Sequence, residues 1–230
     1  MEQLNKVDVI RRLQDIRDCI HESAQKANRD VSEINVMAVT KTVDPQFVNI
    51  AIENGIILLG ENRVQEFLGK CDQYSLKKEG IHFIGHLQTN KVKYIIDKVS
   101  MIESVGSIRL ANEIDLRARS NHIKMPILLE INISNEETKS GLLPQDVKET
   151  LKYISELENV SVEGLMCIPA KENVEYYFGK MNALFQEIKD LNMHGINMRF
   201  LSMGMSNDYQ KAILYNSNII RLGSAIFGKR

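Results

Sequence analysis

The chain carries one apolar run that ends in a charge, and it reads Ile34-Asn35-Val36-Met37-Ala38-Val39-Thr40-Lys41. Such a run is typical of a buried β-strand. A lysine at the end of a buried strand is unusual, because burying an ammonium group without a partner is costly. Desolvation favours the neutral, nucleophilic amine, so Lys41 is predicted to form a Schiff base with a carbonyl compound. A lysine side chain that reaches from the strand end into solvent is the alternative.

Seven more apolar runs follow, and stretches with helical spacing lie between them. The further predicted strands are residues 56–62, 81–88, 100–105, 126–133, 160–169, 199–206 and 219–227. About eight strand–helix units in roughly 200 residues are typical of an α/β fold, the (β/α)8 TIM barrel. We therefore predict a single barrel domain over residues 1–230, with an extra N-terminal helix over residues 2–27. An open, doubly wound sheet is the alternative fold.

The composition argues against several classes of protein. The 230 residues are 43% hydrophobic and 26% charged, and the net charge of −1 offers no broad positive field for nucleic acid. No apolar stretch is long enough to span a membrane, and the polar N-terminus lacks the apolar segment of a signal peptide. We therefore expect a cytoplasmic protein without a membrane partner. The cysteines Cys19, Cys71 and Cys167 have no metal-ligand spacing, so no metal site is expected.

In a (β/α)8 barrel the carboxyl ends of the strands meet at one mouth, where the ligand site lies. The predicted strands end close to Lys41, Asn62, His86, Glu130 and Met166. These residues are scattered along the sequence, but the predicted barrel places them around the same mouth. Such convergence of polar groups is what a catalytic or cofactor site requires.

The loops after the last two predicted strands have the features of a phosphate site. The first loop contains Gly204 and Ser206, and the second contains Arg221, Gly223 and Ser224. Glycine lets the backbone approach a ligand closely, and barrels often bind phosphate through these two loops. Ordinary turn glycines, with Ser206 acting only as a helix cap, are the alternative. Two such loops in consecutive units favour phosphate binding.

Six segments of the chain follow one another in a specific order. They are Ala38-Val39-Thr40-Lys41-Thr42, Leu59-Gly60-Glu61-Asn62, His82-Phe83-Ile84-Gly85-His86-Leu87-Gln88-Thr89-Asn90-Lys91, Gly164-Leu165-Met166, Leu201-Ser202-Met203-Gly204-Met205-Ser206 and Arg221-Leu222-Gly223-Ser224-Ala225-Ile226-Phe227-Gly228. Together they resemble the pyridoxal phosphate homeostasis protein family. The resemblance covers residues 34–228, which is nearly the whole chain.

This resemblance implies a barrel like the N-terminal domain of alanine racemase, with pyridoxal 5′-phosphate as its cofactor. Lys41 matches the Schiff-base lysine of the family. The segments around the phosphate and the ring contain Ser206, Arg221, Gly223 and Ser224, and the segments that line the pocket contain Asn62 and Met166. An arginine beside the pyridine nitrogen keeps that nitrogen unprotonated, which weakens the ring as an electron sink.

The function implied is a pyridoxal phosphate-binding protein of intracellular cofactor homeostasis, without catalytic residues of its own. Its implied partners are pyridoxal phosphate and the apo-enzymes that use it, and we expect a monomer. A racemase of low activity is the alternative. Efficient racemisation needs a second acid/base, which full racemases take from an added C-terminal domain that we expect to be absent here. A third reading is an interaction protein that keeps the cofactor only for stability.

Overall fold

The structure is a computed structural model and describes residues 4–228 of the chain. Residues 1–3 and 229–230 of the predicted domain, and residues 2 and 3 of the predicted first helix, lie outside the described residues.

Eight parallel strands close into a barrel in which each strand pairs with the next and the last pairs with the first. The strands are β1 (Asn35–Val39), β2 (Leu58–Glu61), β3 (Ile81–Phe83), β4 (Met101–Val105), β5 (Met125–Ile131), β6 (Val160–Cys167), β7 (Ile196–Met205) and β8 (Ile219–Leu222). At the closure, Ala38 of β1 lies opposite both Leu59 of β2 and Leu222 of β8. The predicted (β/α)8 TIM barrel is confirmed, and the open sheet is not formed.

Eight α-helices are described in residues 4–228, and most of them connect consecutive strands. They are α1 (Lys6–Lys26), α2 (Pro45–Glu53), α3 (Val64–Leu68), α4 (Ile108–Ser120), α5 (Val147–Ile154), α6 (Val174–Asp190), α7 (Tyr209–Leu214) and α8 (Ser224–Phe227). The extra N-terminal helix is confirmed as α1, which buries Val9, Leu13, Ile16 and Ile20 at helical spacing. It packs against α2, α7 and α8.

Local sequence explains where several helices begin. The side chain of Asp44 accepts a hydrogen bond from the backbone N–H of Gln46, and Pro45 occupies the first helical position of α2. Asn5 caps α1 and Ser107 caps α4 in the same way. Each cap satisfies a backbone donor that the helix itself leaves without a partner.

The structure corrects the predicted ends of two strands and one helix. The strand predicted over residues 219–227 ends at Leu222, and the buried Ile226 and Phe227 belong to α8, because a short apolar run does not distinguish strand from helix. The strand predicted over residues 81–88 ends at Phe83, and Gly85 then lies so close to the backbone of Asn62 that a Cβ would come within 2.0 Å of its carbonyl oxygen. Between the third and fourth predicted strands, the helical spacing of residues 91–98 predicts an α-helix, but the structure has a 3₁₀ segment, Thr89–Tyr94.

The strands bury apolar side chains on both faces. One face packs with the helices in a large continuous core. The other face forms two smaller clusters with no helix member, one around Met37, Ile84 and Ile219 and one around Met101, Leu128 and Met166. These clusters fill the inside of the barrel, as expected for a fold whose interior is a packed core with the ligand site at its end.

Candidate functional site

One cavity of about 350 Å³ opens at the carboxyl ends of β1, β2, β7 and β8. Six of the seven residues predicted for the site line this cavity: Lys41, Asn62, Ser206, Arg221, Gly223 and Ser224. They come from distant parts of the sequence and meet because parallel strands place their carboxyl ends together. The structure thus brings the group together, and its part in ligand binding stays a prediction.

The structure does not bring Met166 into this group. Met166 is buried in β6 and packs with Met101, Leu128 and Phe200 inside the barrel. Side chains two residues apart on a strand share a face, and Ile168, two residues further on, is the one that lines the cavity. A ligand contact by Met166 thus stays a prediction, and the cavity lining does not include this residue.

Lys41 lies in a turn after β1 and is exposed. The prediction that it ends a buried strand is therefore wrong, because β1 ends at Val39 and the chain turns before the lysine. Desolvation does not explain a reactive amine at this position. Its candidate role rests instead on location, since the side chain lines the same cavity as the serines and Arg221.

Several lining residues were not predicted from the sequence. Ile84, Ile168 and Met205 give the cavity apolar walls, and Asn207 adds an amide beside Ser206. The feature of the sequence that could have identified them is their position, since each follows or ends a strand at the same mouth as Lys41. Apolar residues at strand ends are common in any barrel, so this signal does not separate ligand contacts from packing.

Ser206 joins the loops that follow β7 and β8. Its hydroxyl oxygen accepts hydrogen bonds from the backbone N–H groups of Gly223, at 3.3 Å, and Ala225, at 3.1 Å. Just before it, Gly204 has a φ of +91°, and a Cβ at that position would lie 2.5 Å from the Cβ of Ala212. The loops predicted to bind phosphate are therefore physically linked, and the end of β7 that leads into the first loop requires a glycine.

A buried chain of hydrogen bonds supports Arg221. Its Nη1 donates to Ser202 Oγ at 2.7 Å, and its Nη2 donates to the carbonyl oxygen of Cys167 at 2.8 Å. The Ser202 hydroxyl in turn donates to Glu103 Oε2 at 2.6 Å, and Glu103 Oε1 lies 2.7 Å from His82 Nδ1. Burial alone would raise the pKa of Glu103, but the hydrogen bond and charge of His82 and the charge of Arg221 hold that pKa below its usual value. Glu103 is thus an ionised carboxylate inside the barrel, linked to the guanidinium through one serine.

A second buried carboxylate lies behind the turn that carries Lys41. Glu61 is fully buried, and its Oε1 accepts hydrogen bonds from Thr40 Oγ1 and Tyr74 Oη, both at 2.6 Å. Burial raises the pKa of Glu61, and the hydrogen bonds from Thr40 and Tyr74 oppose this effect only in part. This group ties the end of β1 to the end of β2 and to the segment after α3.

The same mouth extends beyond the cavity of Lys41. A neighbouring cavity shares Asn62 and is also lined by His86, which is exposed. A third shares His86 and reaches Glu130, whose Oε1 accepts a hydrogen bond from Ser140 at 2.9 Å. Burial raises the pKa of Glu130. Of the strand-end residues collected from the sequence, Lys41, Asn62, His86 and Glu130 thus line three cavities that are connected through shared residues.

Two structural features are absent from residues 4–228. No group of three or more histidine, cysteine, aspartate or glutamate side chains lies close enough together to hold a metal ion. Within the same residues, no helix combines the length and the apolar character that a membrane span needs.

The fold and the cavity together define a (β/α)8 barrel with one lysine, one arginine and two serines converging at its mouth. The chain belongs to the family of the alanine racemase N-terminal domain, whose model matches residues 13–230, and within it to the pyridoxal phosphate homeostasis proteins. The resemblance drawn from the six sequence segments is thereby confirmed.

Individual relatives cover almost the full chain. The pyridoxal phosphate homeostasis protein of Aquifex aeolicus (strain VF5) is 40% identical over 223 residues, which are 95% of this chain and 97% of the relative. A crystal structure of an unknown protein from Bifidobacterium adolescentis is 32% identical with a TM-score of 0.92, and the match covers 96% of this chain and 95% of the other. The structure of PipY from Synechococcus elongatus PCC7942 with PLP bound is 26% identical with a TM-score of 0.80, and the match covers 96% and 100%.

Proposed function

We propose that this protein holds pyridoxal 5′-phosphate as a Schiff base on Lys41 and takes part in intracellular homeostasis of that cofactor. The observation that carries the proposal is that the amine of Lys41 and the linked loops of Ser206 and Gly223 line one cavity. In this proposal residues 1–230 form a single cytoplasmic domain that acts as a monomer.

The residues of the cavity fit the chemistry of this cofactor. When bound, pyridoxal phosphate supplies an aldehyde that condenses with an amine and a phosphate that needs hydrogen-bond donors. Lys41 offers the amine, while the hydroxyls of Ser206 and Ser224 and the amide of Asn207 offer donors for the phosphate. No carboxylate is among the described residues that line the cavity, so nothing in this lining repels the anion. A volume of about 350 Å³ suits a small ligand.

Arg221 fits the role predicted for it, which is to lie beside the pyridine nitrogen of the cofactor. Its guanidinium lines the cavity and remains charged under all ordinary conditions. A cation beside the pyridine nitrogen disfavours protonation of that nitrogen, which makes the ring a poor electron sink. This arrangement favours storage of the cofactor over reactions that pass through a carbanion.

The relatives support the same reading. The Aquifex aeolicus protein is named for pyridoxal phosphate homeostasis, and the PipY structure holds PLP. Both match this chain over nearly all of its length, so the matched regions include most of the segments that form the barrel and its mouth. We transfer the ligand to this chain as part of the proposal.

The lining of the cavity favours a carrier over a racemase. Racemisation removes a proton from one face of the substrate and returns one to the other, which requires two groups that exchange protons. Lys41 and Arg221 are the only titratable side chains among the described residues of the lining, and arginine does not give up its proton in proteins. Lys41 is then the single acid/base group in this lining, and we propose that bound cofactor is passed to apo-enzymes.

Reduction with borohydride tests the site assignment. We expect purified protein mixed with pyridoxal phosphate to turn yellow and, after reduction, to carry a phosphopyridoxyl group on the peptide that contains Lys41. Once unbound cofactor has been removed, the Lys41→Ala variant should lack the absorbance of the Schiff base and yield no reduced adduct at this position. A colourless wild-type protein, or an adduct on another lysine, overturns the proposal.

Transfer is tested separately with an apo-enzyme whose activity returns on cofactor binding. Loaded protein should reactivate the enzyme in the presence of a scavenger that removes free pyridoxal phosphate. An equal concentration of free cofactor with the same scavenger is the control. Equal reactivation in the two samples shows release into solution and contradicts direct delivery.

A further inference from the structure

The side chains of one ion pair form hydrogen bonds with the backbone on both sides of Lys41. Lys70 Nζ donates to the carbonyl oxygen of Thr40 at 2.8 Å, and Glu66 Oε1 accepts a hydrogen bond from the backbone N–H of Thr42 at 2.5 Å. Lys70 and Glu66 are themselves joined, with Nζ 2.7 Å from Oε1. The two peptide groups that flank the Cα of Lys41 are thus both tied to the same pair of side chains.

The turn at Lys41 has an unusual backbone that needs such support. Thr40 and Val43 close it through a hydrogen bond of 3.0 Å from the N–H of Val43 to the carbonyl oxygen of Thr40. Within it, Thr42 has a φ of +59°, a left-handed conformation that β-branched residues rarely adopt. Strained backbone of this kind persists when surrounding contacts fix it, and it is common at ligand sites.

The lysine of this ion pair is buried beside a second carboxylate. Lys70 is buried, and its Nζ lies 3.9 Å from Oε1 of the fully buried Glu61. Burial would raise the pKa of Glu66, but its hydrogen bonds to Lys70 and to the N–H of Thr42, with the charge of Lys70, lower it overall. Glu66 is therefore ionised, and both bonds to the turn involve a charged partner, which makes them stronger than neutral ones.

We infer that Glu66 and Lys70 are positioning residues for Lys41, which fix the turn so that its amine faces the aldehyde while Ser206 and Gly223 hold the phosphate. This inference rests on the proposed function. Neither residue needs to touch the cofactor, because the backbone conformation of Lys41 is set through the peptide groups on either side of it. Loosening the pair leaves the phosphate loops intact and lowers the fraction of bound cofactor that is joined to Lys41.

The test compares two ligands on four proteins: wild type, Glu66→Gln, Lys70→Met and the control Glu113→Gln. The control pair, Glu113 and Arg117, has the same spacing of four residues and the same distance of 2.7 Å, and Glu66 and Glu113 are both 23% exposed. Pyridoxal phosphate reports condensation with Lys41 through its visible absorbance. Pyridoxamine phosphate has an amine in place of the aldehyde, so it reports binding that does not involve Lys41.

We expect Glu66→Gln and Lys70→Met to weaken Schiff-base formation about tenfold, the scale of losing a hydrogen bond to a charged group. Their affinity for pyridoxamine phosphate should stay within about twofold of wild type, and the control should match wild type with both ligands. Equal Schiff-base formation in Glu66→Gln and the control overturns the inference. An equal loss with both ligands also overturns it, because the pair would then support the whole cavity.

If the proposed function is wrong, the wild-type protein itself forms no Schiff base on Lys41. This outcome is recognised without reference to the variants. Lys70→Met removes a buried charge that Glu61 and Glu66 both face, so its folding is checked by thermal melting before binding is measured. If it does not fold, Glu66→Gln decides the question, because Glu66 is partly exposed and glutamine has the same shape.

Discussion

The guanidinium of Arg221 and the hydroxyl of Ser202 are joined across the neighbouring strands β8 and β7 by a hydrogen bond of 2.7 Å. Because the Ser202 hydroxyl also donates a hydrogen bond to Glu103, the serine links a cation at the mouth to a carboxylate in the centre of the barrel. The serine is fully buried, so water from the surface cannot take its place as a hydrogen-bond partner of Arg221 or Glu103.

Replacing Ser202 with alanine should therefore destabilise the protein by about 1–3 kcal/mol, because it leaves charged groups without a buried partner. Urea unfolding of the two proteins measures this difference in the free energy of unfolding. Ser100→Ala serves as the control, since Ser100 donates only to the carbonyl oxygen of Ile81 at 3.1 Å, and it should cost less. Equal losses in the two variants would show that the link to Glu103 adds nothing.

The lowered pKa of Glu103 predicts an acid-dependent part of the stability. A carboxyl group whose pKa is lower in the folded than in the unfolded protein stabilises the fold above its unfolded value, here 4.5, and loses that contribution as the pH falls towards the folded value. Glu103→Gln should therefore be less stable than wild type at neutral pH and should lose less stability on acidification below about pH 4.5. Denaturant midpoints measured across that range test this, and parallel curves for the two proteins would contradict it.

Gly204 should not tolerate a side chain. Alanine at this position would have a φ of +91° and a Cβ 2.5 Å from the Cβ of Ala212, so we expect a loss of about 1–3 kcal/mol in the free energy of unfolding. Gly69→Ala is the control, because that glycine has a φ of −76° and the nearest atom to an added Cβ lies at 3.6 Å. The comparison fails if both substitutions have the same effect on the thermal midpoint.

Removing the hydroxyl of Ser206 should loosen the two loops and weaken phosphate binding. Ser206→Ala frees the N–H groups of Gly223 and Ala225 from their shared acceptor, and we expect about tenfold weaker binding of pyridoxamine phosphate. Ser155→Ala, at a serine outside this cavity whose hydroxyl donates to the carbonyl oxygen of Lys152, is the control. Calorimetric titration measures both affinities, and an unchanged value for Ser206→Ala would argue against a phosphate at these loops.

The sequence predicted the barrel and most of the candidate cavity because both follow from order along the chain. Alternating strands and helices imply parallel strands, and parallel strands place Lys41, Asn62 and Arg221 at the same end. The depth of each residue was harder to predict, as Met166 and Lys41 show. A shift of one or two residues at a strand end moves a side chain from the mouth to the interior or into a turn.

Contacts between distant segments could not be predicted in this way. The link from Glu103 through Ser202 to Arg221 depends on how three strands align around the barrel, and the single sequence does not specify that alignment. The hydrogen bonds of Glu66 and Lys70 with the turn depend on where the short helix α3 lies after β2. The apolar run of residues 219–227 was ambiguous because a short apolar run fits a strand or a helix. The hydrogen bonds from Gly223 and Ala225 to Ser206 join segments that are far apart in the sequence.

The pairing of β1 with β8 has a consequence for synthesis of the chain on the ribosome. The open side of β1 keeps its backbone N–H and C=O groups without a neighbouring strand until residues 219–222 have been made and have emerged. Until then the nascent polypeptide exposes an unpaired strand edge. Such an edge favours aggregation and is a place where a chaperone can bind. Arg221 belongs to this strand and Gly223 and Ser224 follow it directly, so the cavity is completed only after this part of the chain has emerged. Capture of a small ligand there thus cannot guide the steps of folding that precede the arrival of β8.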